Sequence, residues 1–172
     1  MIGNLMSNSM ILELVEEDLL RIDPFDKRLL QLANYPLTAA RIIFWKEKSD
    51  DKETHDLVTA KKDYIFQPHE YAIVTVHERI ILPDGIVGRF IPMSGLIEKG
   101  FSLTAGKLDP GYGDEGEEIR FGLCNMRDRP NAYDKTSPLA YVEFFDLRGL
   151  RLAEVQTTGY DELIKVMRKN QM

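Results

Sequence analysis

From position 64 onward, the sequence alternates between short apolar segments and turn-forming residues. The segments are DYIF, YAIVTV, RIIL, IVGRFIP, FSLTAG, EIRFGLCN and LAYVEFFDL, and Pro, Gly and Asp separate them. Short runs rich in β-branched and aromatic residues, bounded by turn formers, are typical of strands. The pattern therefore predicts a mainly β chain, folded as a barrel or a sandwich. The sequence LPDG at 82–85 predicts a connecting turn, with Pro second and Gly fourth.

Two amphipathic segments flank this region. Residues 9–20, SMILELVEEDLL, carry apolar residues at helical spacing after Ser9, which is a suitable N-cap. Residues 159–170 carry Tyr160, Leu163, Ile164 and Met167 at the same spacing, with basic residues toward the end. We expect a short helix at each position.

The stretch between the first helix and position 64 has a mixed character. Pro24 and Pro36 forbid a long helix over residues 21–37, so we expect a loop with short extended pieces there. ARIIFWK, which follows, predicts a strand. KEKSDDKETHDL, at 46–57, is charged and has no apolar periodicity, which predicts a solvated loop or a hairpin tip without a functional role.

Length and charge narrow the function classes. A chain of 172 residues with 44% hydrophobic content suits one domain, residues 1–172. Its 28 acidic residues outnumber 22 basic ones, so a nucleic acid backbone would on balance be repelled, and we expect no nucleic acid partner. No apolar run approaches the roughly 20 residues of a membrane helix, and no signal peptide pattern opens the chain. We expect a cytoplasmic protein without a membrane partner.

Cysteine and histidine usage argues against a metal site. The single Cys124 cannot form an intrachain disulfide, which fits a reducing compartment, and its apolar run predicts a small core residue. His55, His69 and His77 show no metal-ligand spacing with it. The chemistry of zinc deaminases, which needs a His and paired cysteines, is excluded by a single Cys.

Five pieces of the chain occur in an order that is specific to one group of proteins. They are LRIDPFDKRLLQLANYPL, FQPHEYAIVTVHERIILPDGIVGRF, SGLIEKGFSLTAG, LDPGY and EIRFGLCN. In these motifs the chain resembles the dCTP deaminase and dUTPase superfamily, and the deaminase branch more closely. The resemblance implies a distorted, jelly-roll-like β barrel that assembles as a homotrimer, with nucleotide sites between subunits.

The resemblance also implies a set of site residues. A deoxypyrimidine nucleotide would contact Ser94, Gly95, Gly106, Asp109 and Tyr112. In the dUTPase branch the aspartate matching Asp109 activates the attacking water, and the tyrosine packs against the deoxyribose. Asp109 is therefore the expected catalytic residue if the chain is active. The structural alternative is that Asp109 organises a turn through its own backbone hydrogen bonds. Glycines recur in this region, where we expect strands to turn: Gly88, Gly95, Gly100, Gly106 and Gly111. Such glycines either permit special dihedral angles or let a ligand approach the backbone.

Several polar functions of the family pocket are replaced in this sequence. The glutamate that serves deaminases as general base corresponds to Gly122, which has no proton to move. Met93 and Glu98 stand where the family carries phosphate-binding arginines. Pro36 replaces an aspartate, and Tyr141 replaces a glutamine. The glycine-rich tail of trimeric dUTPases is not visible after position 150.

Three hypotheses remain open at this stage. The first is a trimer with a degenerate nucleotide pocket, which is regulatory, structural, or binds a nucleotide or a protein partner. The second is an active dCTP deaminase or dUTP diphosphohydrolase with an altered site; only this one calls for Mg²⁺, bound with the triphosphate. The third is that the trimer serves an assembly, for example in a phage or mobile element, for which we expect a large apolar patch outside the trimer interface. In the second hypothesis Asp109 acts with one of three glutamates, Glu98, Glu117 or Glu118. The cation near them would be Arg89, Lys99, Lys107 or Arg120.

Overall fold

The structure is a computed structural model that describes residues 5–46, 49–112 and 117–148. These residues form thirteen strands and two short α-helices. The first half contains α1 (Asn8–Glu16), β1 (Arg21–Asp23), β2 (Asn34–Leu37), β3 (Ala39–Trp45), β4 (Lys52–Asp56), β5 (Tyr64–Phe66) and β6 (Tyr71–Val76). The second half contains β7 (Arg79–Ile81), β8 (Ile86–Pro92), α2 (Ser94–Glu98), β9 (Phe101–Thr104), β10 (Lys107–Leu108), β11 (Arg120–Asn125), β12 (Asn131–Tyr133) and β13 (Ala140–Asp146). The mainly β class expected from the sequence is confirmed.

Two antiparallel sheets contain most of the strands. One has five strands in the order β4-β3-β6-β11-β9, and the other has four in the order β10-β8-β13-β2. Their inner faces meet where the rings of Phe90 on β8 and Phe121 on β11 lie 4.9 Å apart at their centroids. Alternation along each strand sends one set of side chains into this apolar core. The remaining strands form two-stranded sheets, β1 with β7 and β5 with β12.

The seven apolar segments after position 64 each contain a strand, as predicted. The turn at LPDG lies one residue later than expected. Ile86 N donates to Pro83 O at 3.2 Å, and Gly85 has a φ of +80°. Pro83 is therefore the first residue of the turn, and Gly85 is the third, where a left-handed conformation requires glycine.

The first helix is displaced from the predicted span of 9–20. Ser7, not Ser9, is the N-cap, and its hydroxyl accepts from Met10 N at 3.5 Å. The helix ends at Glu16 because Asp18 adopts a positive φ of 56° and pairs with Arg21 at 2.7 Å. The final apolar residues of the pattern thus lie outside the helix, and of these Leu20 is fully buried.

The charged stretch 46–57 is only partly a loop. Residues Lys52–Asp56 form the edge strand β4, which pairs with β3 from Trp45 to Arg41. Most of its side chains are exposed, so it lacks the apolar alternation that would have predicted a strand. The predicted C-terminal helix at 159–170 lies outside the described residues. Within the described ranges, no helix is long and apolar enough to cross a membrane.

Candidate functional site

The DPGY segment folds into a tight turn directly after β10. Tyr112 N donates to the carbonyl of Asp109 at 3.2 Å, and Gly111 has a φ of +87°, which disfavours any other residue. The Asp109 carboxylate is half exposed and accepts from Lys107 Nζ at 2.7 Å. Asp109 therefore closes the turn with its carbonyl, while its side chain is paired with the lysine two residues earlier. The Tyr112 hydroxyl donates to the carbonyl of Glu118 at 3.0 Å.

Ser94 and Gly95 open the short helix α2. Ser94 is exposed, and the preceding Met93 occupies the N-cap position without a side-chain hydrogen bond. A Cβ on Gly95 would lie 3.1 Å from Pro138 Cγ, so this glycine permits close packing rather than a turn. Glu98, at the end of α2, is exposed. Its carbonyl accepts from the Arg127 guanidinium at 2.9 Å.

Two of the predicted glycine turns are corrected by the structure. Gly88 lies inside β8, where a Cβ would meet the Leu108 Cβ at 3.1 Å. Gly95 lies inside α2. Gly100 and Gly111 do have positive φ angles at turns. Gly106 lies between β9 and β10 in open space, with no heavy atom within 4 Å of a Cβ.

Within one chain, four of the predicted nucleotide-binding residues fall into two groups, Ser94 and Gly95 on α2 and Asp109 and Tyr112 on the turn after β10. Leu108 on β10 lies opposite Gly88 on β8, and the two strands are antiparallel. Asp109, the residue after Leu108, therefore lies further from α2 than Leu108 does. Ser94 lies in the other direction along β8. Because a strand advances about 3.3 Å per residue, Ser94 and Asp109 are on the order of 20 Å apart. Within one chain, Asp109 and Ser94 therefore lie beyond opposite ends of β8.

At Gly122, the position that the resemblance assigns to the deaminase glutamate, the space above the backbone is filled by an aromatic ring. Gly122 on β11 lies opposite Ile73 on β6, and Tyr71, two residues before Ile73, leans over it. A Cβ on Gly122 would lie 2.6 Å from Cε2 of Tyr71 and would also contact its hydroxyl. The Tyr71 ring is stacked on Trp45 with centroids 6.1 Å apart. Tyr71, which the sequence did not single out, thus covers the site.

The four candidate cations each contact a different polar group. Arg89 pairs with Glu143 at 2.6 Å, and Lys99 donates to the Ser137 hydroxyl at 2.7 Å. Lys107 binds Asp109, as described above. Arg120 lies 3.8 Å from Glu118, whose other carboxylate oxygen contacts Arg41. Two of the four cations therefore contact a candidate carboxylate, Lys107 with Asp109 and Arg120 with Glu118, while Arg89 and Lys99 contact other groups.

Pro36 and Tyr141, the other two altered positions, are direct partners across β2 and β13. Two residues away on β2, Asn34 has a buried Oδ1 without a hydrogen-bond partner. Both replacements therefore alter one place on the four-stranded sheet. Their proximity could not be read from sequence, because the two strands lie more than 100 positions apart along the chain.

Cys124 is not the core residue that its apolar run predicts. It is half-buried, because Phe121 and Leu123 take the inner face of β11 and leave Gly122 and Cys124 on the outer face. His69 pairs with Asp128 at 2.9 Å, and His55 contacts the Lys62 carbonyl. No group of three or more His, Cys, Asp or Glu side chains in the described ranges is arranged to hold a metal ion.

Comparison with known proteins decides the family. A family model described as dCTP deaminase-like matches residues 5–147. The chain belongs to the dCTP deaminase-like family. It is similar to the dCTP deaminase of Pyrococcus furiosus, with 32% identity over 128 residues, 74% of this chain and 76% of that enzyme. It is also similar to the dUMP-forming dCTP deaminase of Methanothermobacter thermautotrophicus, with 29% identity over 63% of each chain.

Solved structures of dCTP deaminases and dUTPases share the fold. The dCTP deaminase of Agrobacterium tumefaciens aligns over 100% of this chain and 55% of its own, with a TM-score of 0.66 and 15% identity. This chain therefore spans about half of that one. A dUTPase of phage 80alpha aligns over 81% of this chain and 97% of its own, with a TM-score of 0.50 and 14% identity. At these identities the likeness concerns the fold alone.

Proposed function

We propose that this protein is a non-deaminating member of the dCTP deaminase-like family, and that it acts as a homotrimer by binding a deoxypyrimidine nucleotide or a protein partner. The observation that carries the proposal is Gly122 beneath the ring of Tyr71. Deamination of a pyrimidine requires a positioned group that accepts a proton from water. Glycine offers none, and the Tyr71 ring occupies the space that a glutamate at this position would need.

The phosphate side supports the same proposal. Met93 and Glu98 stand where the resemblance implies arginines, and Glu98 would repel a polyphosphate rather than attract it. Lys107, the cation beside Asp109, is already paired with that carboxylate at 2.7 Å. An aspartate general base without cations for the phosphates has little to act on.

Two observations support a homotrimer, or another assembly with chain-to-chain contacts. Ser94 and Asp109 lie beyond opposite ends of β8, an arrangement that suits a site shared between subunits. The outer face of the five-stranded sheet also carries apolar side chains, among them Trp45 and Tyr71, which are 37% and 48% exposed. Burial against another chain would stabilise the end of this face that carries Trp45 and Tyr71. A protein partner, including one in a phage or mobile-element assembly, would bind the same exposed apolar side chains.

The second candidate function is an active deaminase or diphosphohydrolase, and the names of the relatives favour it. The Pyrococcus furiosus relative is a dCTP deaminase, and the Methanothermobacter relative is a dUMP-forming one. In this alternative Asp109 would accept the proton from water, once Lys107 had moved from its carboxylate. In this alternative Mg²⁺ would bind together with the triphosphate, which supplies phosphate oxygens as ligands.

The experiment is a combined turnover and thermal-shift screen with dCTP, dUTP, dTTP and their monophosphates, with and without Mg²⁺. We expect no ammonia, pyrophosphate or dUMP from any nucleotide, while an active dCTP deaminase run in parallel releases product. A bound nucleotide would still raise the melting temperature with the logarithm of its concentration. Turnover of dCTP or dUTP that Asp109→Asn abolishes would overturn the proposal and establish the alternative. Light scattering on the same sample measures whether the particle is a trimer.

A further inference from the structure

Three polar side chains lie in one row across the five-stranded sheet. Arg41 on β3 is opposite Thr75 on β6, and Thr75 is opposite Arg120 on β11. Side chains of directly opposed residues lie on the same face, with Cβ atoms about 5 Å apart. The core-facing pairs Ile42–Val74 and Val74–Phe121 alternate with this row, so the row lies on the outer face. Arg41 and Arg120 are therefore the cross-strand neighbours of Thr75 on this face.

The middle residue of the row has an unused hydrogen-bonding group. Thr75 is fully buried, and its Oγ1 has no hydrogen-bond partner. In the described ranges, the only other buried side-chain oxygen or nitrogen in this condition is Asn34 Oδ1. A buried hydroxyl without a partner destabilises the folded state, so an isolated one between two arginines indicates a place where a ligand oxygen fits.

Glu118 currently fills the space between the arginines. Its Oε1 contacts the Arg41 guanidinium, and its Oε2 lies 3.8 Å from a guanidinium nitrogen of Arg120. Glu118 lies just before β11, outside regular secondary structure, and its carbonyl accepts from the Tyr112 hydroxyl. Its carboxylate is one-third exposed, so it can leave the row by rotation of its side chain while the backbone stays in place.

We propose that Arg41, Thr75 and Arg120 form a binding site for a phosphoryl group, and that Glu118 occupies this site as an internal anion in the free protein. Guanidinium groups bind phosphate oxygens with paired, charge-assisted hydrogen bonds, and the Thr75 hydroxyl supplies a further donor. The ligand class is a compact tetrahedral oxyanion, either free or at the end of a nucleotide. The site goes beyond the proposed function, since it uses none of the nucleotide residues implied by the family.

The charges near the row favour an anion once Glu118 has left. Asp56 lies opposite Arg41 on β4, and its Oδ1 accepts from the backbone N–H groups of Val58 and Thr59. The positive charge of the two arginines is then larger than the negative charge of Asp56, whose carboxylate is already hydrogen-bonded within its own turn. With Glu118 in place, its carboxylate offsets part of the positive charge of Arg41 and Arg120. Competition from Glu118 therefore keeps the affinity of the wild-type site low.

The test measures binding of pyrophosphate to wild type and to Glu118→Gln by calorimetric titration and thermal shift. We expect Glu118→Gln to bind at least about 10-fold more tightly, because glutamine keeps the size but loses the competing charge. Glu143→Gln is the matched control, since it removes a glutamate paired with an arginine on the other sheet and should bind as wild type does. Equal affinities for Glu118→Gln and wild type would overturn the proposal.

Two further variants separate binding from structural effects. Arg120→Met in the Glu118→Gln background should abolish the gain. Thr75→Val should raise the melting temperature of the free protein, because it removes an unpartnered hydroxyl, and should weaken pyrophosphate binding in the Glu118→Gln background. If Glu118→Gln does not fold, wild type and Arg120→Met are compared at high pyrophosphate concentration, and equal thermal shifts refute the site.

The source of the phosphoryl group is resolved by the choice of ligand. Inorganic phosphate and pyrophosphate probe a free oxyanion, and dCMP and dCTP probe a nucleotide. If dCTP binds Glu118→Gln more tightly than pyrophosphate does, the ligand is a nucleotide; if the two are equal, the base adds nothing. None of these readouts requires turnover, so they succeed or fail independently of whether the protein deaminates.

Discussion

The ring of Tyr71 lies directly over the backbone of Gly122, on the neighbouring strand of the same sheet. Tyr71 is itself opposite Cys124, so its side chain leans along the sheet by two residues to reach the glycine. No other residue type at position 122 leaves this space open. The glycine and the tyrosine are therefore one structural unit, and a change in either alters the effect of the other.

A double-mutant cycle tests this unit. Gly122→Ala should destabilise the fold by about 1–2 kcal/mol, because its Cβ forces Tyr71 off the sheet and away from Trp45. In a Tyr71→Ala background the same change should be neutral or stabilising by up to about 1 kcal/mol, since alanine suits a strand better than glycine. Chemical denaturation measures the four proteins. A coupling energy near zero would contradict the packing described.

Gly106 provides the matched control for this cycle. A Cβ there meets no heavy atom within 4 Å, and its φ is not in the left-handed region. Gly106→Ala should therefore leave the free energy of unfolding unchanged within about 0.5 kcal/mol. A loss as large as that of Gly122→Ala would mean that the cost belongs to glycine substitution in general, and not to Tyr71.

At the DPGY turn, we expect the backbone to matter more for stability than the aspartate side chain. Asp109→Asn removes one exposed ion pair with Lys107 and should change the free energy of unfolding by less than about 0.5 kcal/mol. Gly111→Ala places a Cβ at a φ of +87° and should cost about 1–2 kcal/mol. Urea unfolding of both variants measures the difference. A larger loss for Asp109→Asn would indicate that its carboxylate organises the turn after all.

How far the sequence predicts the fold depends on whether a segment faces the core. Strands such as β6 and β13 bury apolar side chains, and their composition shows it. β4 has no buried face, so its charged sequence looks like a loop although its backbone pairs with β3. α1 ends early because Asp18 turns the chain, an event that apolar spacing alone does not record.

The site was predictable only as a set of separate positions. The resemblance to the family implies that Gly122 stands in place of a glutamate, but it does not reveal that Tyr71 lies over this glycine. The sequence also offers Glu118 as a possible base without revealing that Arg41, 77 positions earlier, contacts its carboxylate. Such relations depend on strand register, which pairs residues far apart in the chain. Glycines show the same limit, since Gly88 and Gly95 permit close packing where turns were expected.

Asn125, which closes β11, should be the most sensitive polar residue of this strand. It is fully buried, and its Nδ2 donates to the carbonyls of Gln67 and Arg129 at 2.9 and 3.0 Å. Its Oδ1 accepts from Arg127 N at 3.1 Å. Asn125→Ala leaves these buried groups unpaired and should cost about 3 kcal/mol. Asn131→Ala, which removes a single good bond to the Lys99 carbonyl, should cost about 1 kcal/mol, and equal losses would contradict this account.

Acid should weaken the turn that begins at Asp134. The Asp134 carboxylate accepts from the Thr136 hydroxyl at 2.6 Å and from the Thr136 N–H at 2.7 Å. These two hydrogen bonds stabilise the charged carboxylate and hold the pKa of Asp134 below its usual value. Since the pKa is lower in the folded state, the stabilisation is complete above the unfolded value of about 3.9 and is lost as pH falls through the folded value. Asp134→Asn keeps the acceptor but removes the charge. Melting curves from pH 6 to pH 2 should therefore show wild type more stable than Asp134→Asn at pH 6, with the gap closing in acid. A gap that stays constant over this range would contradict the assignment.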